Sequence, residues 1–213
     1  MKSTLASIGK NLILMAVLSL SVVNYVTPVF NWKDLLIIQS IAGATYIFLS
    51  SYEYLNAAYK ASLPLHRYAY FTNSYFMFRA LKTGLFISFG VLLMLSSNRV
   101  MYLAPICFII SATEILNTAL KFRRKLCFVT LYANYILILQ NTMEKVFASE
   151  ILIVEFRHDI FYFVKKNRKT VQIHLEHISD TENFLLNIHG WIMRNKVMLS
   201  EESRTKIEEL IIH

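Results

Sequence analysis

The stretch Val100–Lys125, VMYLAPICFIISATEILNTALKFRRK, decides how the whole chain is read. Val100 to Leu120 matches the ~20 apolar residues that a helix needs to cross a hydrocarbon core about 30 Å thick. Its one charged residue is Glu114. It stops abruptly at Lys121-Phe122-Arg123-Arg124-Lys125, a basic cluster of the kind found where a span meets cytoplasmic headgroups. Composition changes at the same point. Of 14 acidic residues only three (Asp34, Glu53, Glu114) precede position 121, and eleven follow it. The 22 basic residues divide eight and fourteen. The chain is 55% hydrophobic, against ~45–50% for a soluble domain, and the excess lies before Lys121. Residues 1–120 therefore read as a lipid-embedded part, and residues 121–213 as a water-facing domain.

Three more spans lie upstream. Asn11–Phe30 is one, with Pro28 near its end. Leu35–Leu55 is the next. Thr83–Ser97 is short, and extends backward through Tyr75-Phe76-Met77-Phe78 if Arg79 and Lys82 snorkel to the headgroups. Short connections make the first and last pairs antiparallel hairpins. The first apolar run is about 20 residues long, whereas a cleavable signal has an apolar core of ~7–15 residues ended by a small-residue site. No such site precedes Tyr25, so the run is expected to be retained.

Orientation follows from lysine and arginine in the short loops. The N-terminus carries Lys2 and Lys10. The second connection carries Lys60, Arg67, Arg79 and Lys82, and the fourth span ends in the basic cluster. The other two loops hold only Lys33, beside Asp34, and Arg99. Both termini are expected in the cytoplasm. The segment Asn56–Thr83 is rich in Tyr and Phe, carries Lys60, His66 and Arg67, and is broken by Pro64. It reads either as an interfacial aromatic belt or as a cytoplasmic extension that contacts the C-terminal domain or a partner.

Beyond Lys125 the apolar runs shorten to strand length. Tyr135–Gln140 ends at Asn141-Thr142. Ile151–Phe156 turns at Arg157-His158-Asp159, and Ile160–Val164 turns through Lys165–Lys169. Thr170–Glu176 alternates, with Val171, Ile173 and Leu175 on one face, the period of a half-buried strand. Ser179 and Glu182 have capping-box spacing. They precede Phe184, Leu185, Ile188, Trp191 and Ile192, which share one helical face. A short last helix is expected from Ser200. The expected fold class is a membrane α-helical bundle of four transmembrane helices in two hairpins. A small cytoplasmic α+β domain follows, with an antiparallel sheet and a C-terminal helix.

The order of these elements resembles bacterial pleckstrin-homology-like modules attached to membrane hairpins. Tyr135–Gln140 looks like an early strand. Val146–Ile151 looks like the segment before the central hairpin, and Ile160–Val164 through Ile173 with the Phe184 helix looks like the closing hairpin and helix. The resemblance covers roughly residues 121–195 and implies a scaffold or binding module. The architecture also resembles small membrane effectors of bacterial anti-phage systems, in which a β-rich cytoplasmic sensor controls two to four spans.

Little in the sequence points to catalysis. There is no glycine-rich phosphate loop and no activated serine or cysteine arrangement, and glycines number only five. Arg168 and His174 match the loose spacing of HEPN-type ribonucleases, but that mechanism needs both on a helix. Cys107 and Cys127 read as small apolar filler. His174, Glu176 and His177 look like a ligand cluster, yet on a continuous strand His177 would point away from the other two. Neither a metal nor any other cofactor is expected. Within the spans, ionisable residues are functional candidates. Glu114, with Asn117 one turn on and Thr113 beside it, is a candidate pore lining, cation-permissive if several copies surround an axis. Glu114 has an alternative reading, as the partner of Lys82 or Lys121. On the domain, Lys165, Lys166, Arg168 and Lys169, with His174, are candidates for binding a nucleotide or oligonucleotide. The expected protein is a homo-oligomeric membrane effector, a pore gated by such a ligand or by a defence-system protein partner. The alternative is a non-conducting anchor in the lipid bilayer that docks a lipid or a protein.

Overall fold

The computed structural model describes residues 2–27, 29–64, 66–96, 99–140 and 143–212. The expected positions Pro28, Ser97 and Asn141-Thr142 lie outside the described residues. The chain forms two compact units. The first comprises the residues up to Tyr59 together with Asn73–Arg124, and the second comprises Lys60–Thr72 together with Lys125 onward.

The first unit is built from α1 (Lys2–Val26), α2 (Trp32–Ser62, whose last turn belongs to the second unit), α3 (Asn73–Leu95) and α4 (Ala104–Arg123). All four helices are long and apolar enough to cross a membrane. A 3-10 segment, Arg99–Leu103, leads into α4. Pro105 sits in the first turn of α4, where its missing N–H costs nothing. Helices α3 and α4 approach closely at Gly90, where a Cβ would lie 3.1 Å from Cys107 Cβ and from the Phe108 ring. Most large outward-facing side chains are apolar, as at Leu12, Phe48 and Leu92. Lys10, Glu53, Arg79, Glu114, Asn117 and Lys121 point inward and are buried. Apolar outside and charged inside is the pattern that a hydrocarbon surrounding selects, since ionised groups there must face the bundle interior. Hydroxyls on the helices back-bond to the preceding turn: Ser40 to the Leu36 carbonyl (2.7 Å), Thr45 to Ile41 (2.8 Å) and Thr113 to Ile109 (2.7 Å).

One expectation about this unit is overturned. Helix α3 begins at Asn73, so Arg79 and Lys82 lie well inside it and do not snorkel to an end. Both turn inward because carboxylates on α2 and α4 meet them there.

The second unit holds two antiparallel sheets. The first runs β1 (Tyr68–Ala69), β2 (Phe128–Leu131), β3 (Tyr135–Leu139), β4 (Met143–Phe147) in spatial order. The second runs β5 (Ile151–Arg157), β6 (Ile160–Lys165), β7 (Thr170–His174). Helices α5 (Thr181–Arg194) and α6 (Glu201–Ile212) follow. The β5–β6 turn places His158 and Asp159 at φ 50° and 58°, the left-handed pair that a two-residue hairpin needs. The core is apolar and aromatic: Phe161, Phe163, Phe184, Ile188 and Trp191 are fully buried. Trp191 donates its Nε1–H to the Tyr132 carbonyl at 2.6 Å. The five apolar positions expected on one face of α5 are all buried. Helix α6 is joined to β5 by Ser203 Oγ, which accepts the Phe156 N–H at 2.8 Å.

The loop between α2 and α3 is part of this unit. Tyr68 and Ala69 pair with Val129 and Phe128, and the Tyr70 N–H donates to the Cys127 carbonyl (3.0 Å). The Tyr68 ring sits edge-on to Phe184, 5.2 Å between centroids. A division at residue 120/121 therefore omits a strand, because β2 pairs on one side with a segment nearly 60 residues upstream. The loop also displaces the expected capping box. Ser179 donates its N–H to the Ala69 carbonyl (3.1 Å) and lies in a bend before the helix. The helix then starts at Thr181 with Asp180 as N-cap and no side-chain cap bond. Strand β7 ends at His174, two residues short of Glu176, and a 3-10 turn, Leu175–His177, follows.

Candidate functional site

All four helices of the first unit contribute to one buried polar cluster. Helix α1 supplies Lys10, α2 supplies Tyr46 and Glu53, α3 supplies Arg79 and Lys82, and α4 supplies Glu114 and Lys121. Glu114 sits at its centre, 1% exposed. Its Oε2 accepts from Arg79, and its Oε1 accepts from the Tyr46 hydroxyl and from Lys82 Nζ (3.0 Å). Lys10 Nζ lies 3.6 Å from the same oxygen. Glu53 binds Lys10 through Oε2, and binds Lys121 (2.6 Å) and Arg79 (3.4 Å) through Oε1. Lys82 Nζ also donates to the Tyr46 hydroxyl (2.9 Å) and lies 5.5 Å from the centre of that ring.

Four cations share two carboxylates, so the cluster carries two positive charges in excess. Buried charges are tolerated only when paired and hydrogen-bonded, and both oxygens of each carboxylate are engaged here. Among the sequence candidates, Glu114 is placed at the hub, and its pairing with Lys82 is present. Its pairing with Lys121 is not, since Lys121 goes to Glu53. Enclosed by cations, Glu114 presents no free negative charge to a path for cations in this arrangement. Thr113 is spent on the Ile109 carbonyl. Asn117 is buried, and neither amide atom has a hydrogen-bond partner among the described residues. It lines a groove of about 500 Å³ between α2 and α4 with Ser50, Tyr54, Thr113, Leu116 and Leu120.

The contributions of Lys10, Tyr46 and Arg79 are missed when loops and spans are scored separately. A usable signal was present: an ionised group inside a helix of spanning length needs a partner.

The basic candidates of the second unit do not converge on one site. Lys166, Arg168 and Lys169 crowd the β6–β7 turn and are largely exposed, with Arg168 at φ 63°. Lys165 is half-buried, 3.5 Å from Glu144. His174 lies at the far end of β7, where it pairs with Ile160 while Thr170 beside the turn pairs with Val164. The strand thus separates it from the lysine turn by about 13 Å, at ~3.3 Å per residue.

His174 stands instead beside Glu176 and His177. The 3-10 turn rotates His177 back under His174, because residues three apart eclipse in that geometry. The rings are 5.6 Å apart, and the ligand atoms of all three residues lie within 4.8 Å of one another. The expectation that His177 points away fails because β7 does not continue to it. Near this turn, burial raises the Tyr70 phenol above its ordinary value, and Tyr68 likewise.

No protein-family model, curated protein or solved structure matches the chain.

Proposed function

We propose that the chain is a multi-pass effector of a bacterial inner membrane, with both termini cytoplasmic. In this reading the helical unit carries an ion pathway that is held shut, and the β unit receives the controlling signal. The observation that carries the reading is the charged cluster drawn from all four helices of the first unit. Ionisable groups inside spans are functional candidates, and substrate and ion pathways are among the roles they mark. The excess positive charge favours anions over the cations expected from Glu114 alone. Glu53 and Glu114 act as the latch, since they hold residues of all four helices together.

Chain connectivity supports control by the β unit. That unit takes up the α2–α3 loop as strand β1 and also follows α4. A change in the first sheet therefore reaches three helix ends through the backbone. The four-plus-three-stranded sheets and the helix after them support the pleckstrin-homology-like reading of the unit as a binding module. The exposed turn Lys166–Lys169 suits a phosphate-bearing ligand such as a nucleotide or oligonucleotide. Self-association around an axis and a role in anti-phage defence rest on the architectural resemblance.

One observation favours the second reading, a non-conducting anchor. Every carboxylate oxygen of the cluster is already satisfied within the protomer. Ion release from liposomes carrying the purified chain separates the two. We expect low resting flux from the wild type. In Glu53→Gln, Lys10 and Lys121 lose their shared partner, and iodide release should rise above potassium release. Background flux of both ions from both proteins, each verified as folded and inserted, would reject the pore and leave the anchor.

A further inference from the structure

We propose that His174, Glu176 and His177 form a binding site for a divalent transition-metal ion, with Zn2+ as the cation of best fit. Two imidazoles and one carboxylate are a zinc ligand set, and three protein ligands leave a fourth position open. The donor set argues against Ca2+ and Mg2+, which take oxygen ligands.

The backbone carrying the ligands is pinned on both sides. Leu175 is buried between the two histidines and donates its N–H to the Asp159 carbonyl at 2.8 Å. Ile178 closes the 3-10 turn by donating to the Leu175 carbonyl at 2.9 Å. The Phe71 N–H donates to the His177 carbonyl (3.3 Å), and the His174 N–H donates to the Tyr70 hydroxyl (3.3 Å). Tyr70 packs against the His177 ring at 6.3 Å between centroids. The site is therefore organised before any ion arrives, and only side-chain torsions remain to be set. Glu176 Oε1 already lies 3.3 Å from His177 Nε2 and 3.9 Å from His174 Nδ1. Ligand atoms bound to one zinc at ~2.0–2.1 Å stand little more than 3 Å apart, so closing on an ion takes a contraction of up to roughly one and a half ångströms. The Glu176 side chain is 68% exposed, which leaves the open coordination position facing outward. Water, or a carboxylate or phosphate oxygen of an incoming molecule, can occupy it. Tyr70 belongs to the α2–α3 loop, so metal binding would also tighten the attachment of that loop to β7.

The test uses the full chain in detergent, stripped with a chelator and titrated with Zn2+ alone, and separately with Co2+ as a spectroscopic probe. We expect one equivalent of Zn2+ displaceable by chelator, a visible Co2+ absorption of four-coordinate type, and protection of His174 and His177 from diethyl pyrocarbonate by Zn2+. His174→Gln and His177→Gln should each weaken binding at least about tenfold, while His158→Gln should leave it unchanged. Emission from Trp191, buried in the same unit, checks that the variants fold. The protection experiment needs no variant and so decides the matter even if one misfolds. Zn2+ binding unchanged in the His174→Gln/His177→Gln double variant, or no protection of either histidine at saturating Zn2+, would overturn the proposal.

Discussion

The two units solve the burial problem in opposite ways. The helical unit buries Lys10, Glu53, Arg79, Glu114 and Lys121 and exposes Leu12, Phe48 and Leu92. The β unit buries Phe161, Phe163, Phe184 and Trp191 and exposes Lys166, Arg168 and Lys169. The difference is the one that a hydrocarbon surrounding for the helices and water for the sheets would select. In water, removing apolar surface drives packing at roughly 25 cal/mol per Å². Between helices in hydrocarbon that term is absent, and polar contacts and close packing hold the bundle together. Paired charge in the interior would thus be tolerated by a bundle in hydrocarbon, where an unpaired one in either unit would be a defect.

The largest expected effect breaks the comparison at its centre. Glu114→Gln leaves buried Arg79 and Lys10 and half-buried Lys82 around a neutral amide. Removing one partner of a buried ion pair costs about 3–5 kcal/mol. Thermal unfolding in detergent, read from helical circular dichroism, should show a matching loss of stability, and an unchanged midpoint would make the cluster incidental. In the β unit the counterpart is Trp191→Ala, which empties a fully buried site and strands the Tyr132 carbonyl. It should cost about 3–5 kcal/mol in denaturant titration of that unit.

Reversing the exposed pattern is expected to matter less. Phe48, 69% exposed on α2, should tolerate Leu and resist Arg. An arginine near the middle of a span costs about 2.5–3.5 kcal/mol in insertion assays. Insertion of Phe48→Arg equal to wild type would remove the lipid-facing assignment of that side of α2. The β unit, by contrast, should weaken in alkali. Burial raises the Tyr68 and Tyr70 phenols, so the folded state holds these protons more tightly than the unfolded chain does. Their contribution is complete below the ordinary tyrosine value of 10.0 and is lost as pH rises above it. Tyr70→Phe should flatten that alkaline decline, as read by Trp191 emission. The smallest effect concerns Lys196, at φ 51° just after α5. Lys196→Gly should raise stability by about 0.5 kcal/mol, since only glycine adopts that conformation without steric cost.

Much of this architecture was legible in residue order. The four apolar runs, the basic stop at Lys121–Lys125 and the buried face of α5 are periodicity and composition, and both are local. Strands β5 and β6 were legible for the same reason. Strands β1, β2 and β4 were not. Tyr68-Ala69 is too short to carry a period, and it is a strand only because Phe128 and Val129 lie alongside. The end of β7 at His174 is also non-local, since the following turn is held by Asp159 and by the α2–α3 loop.

Of the candidate site, the sequence by itself singled out Glu114, since an isolated carboxylate in a span demands an explanation. The sequence also offered Lys82 or Lys121 as its partner; only the tertiary structure chose Lys82 and added Arg79 from helix α3 and Tyr46 from α2. The sequence likewise displayed His174, Glu176 and His177 as ligand types, while the 3-10 turn decided that they meet. The reason is the same in both cases. Periodicity reports which face of an element is apolar. Which polar groups become neighbours depends on how distant segments pack and on where an element stops.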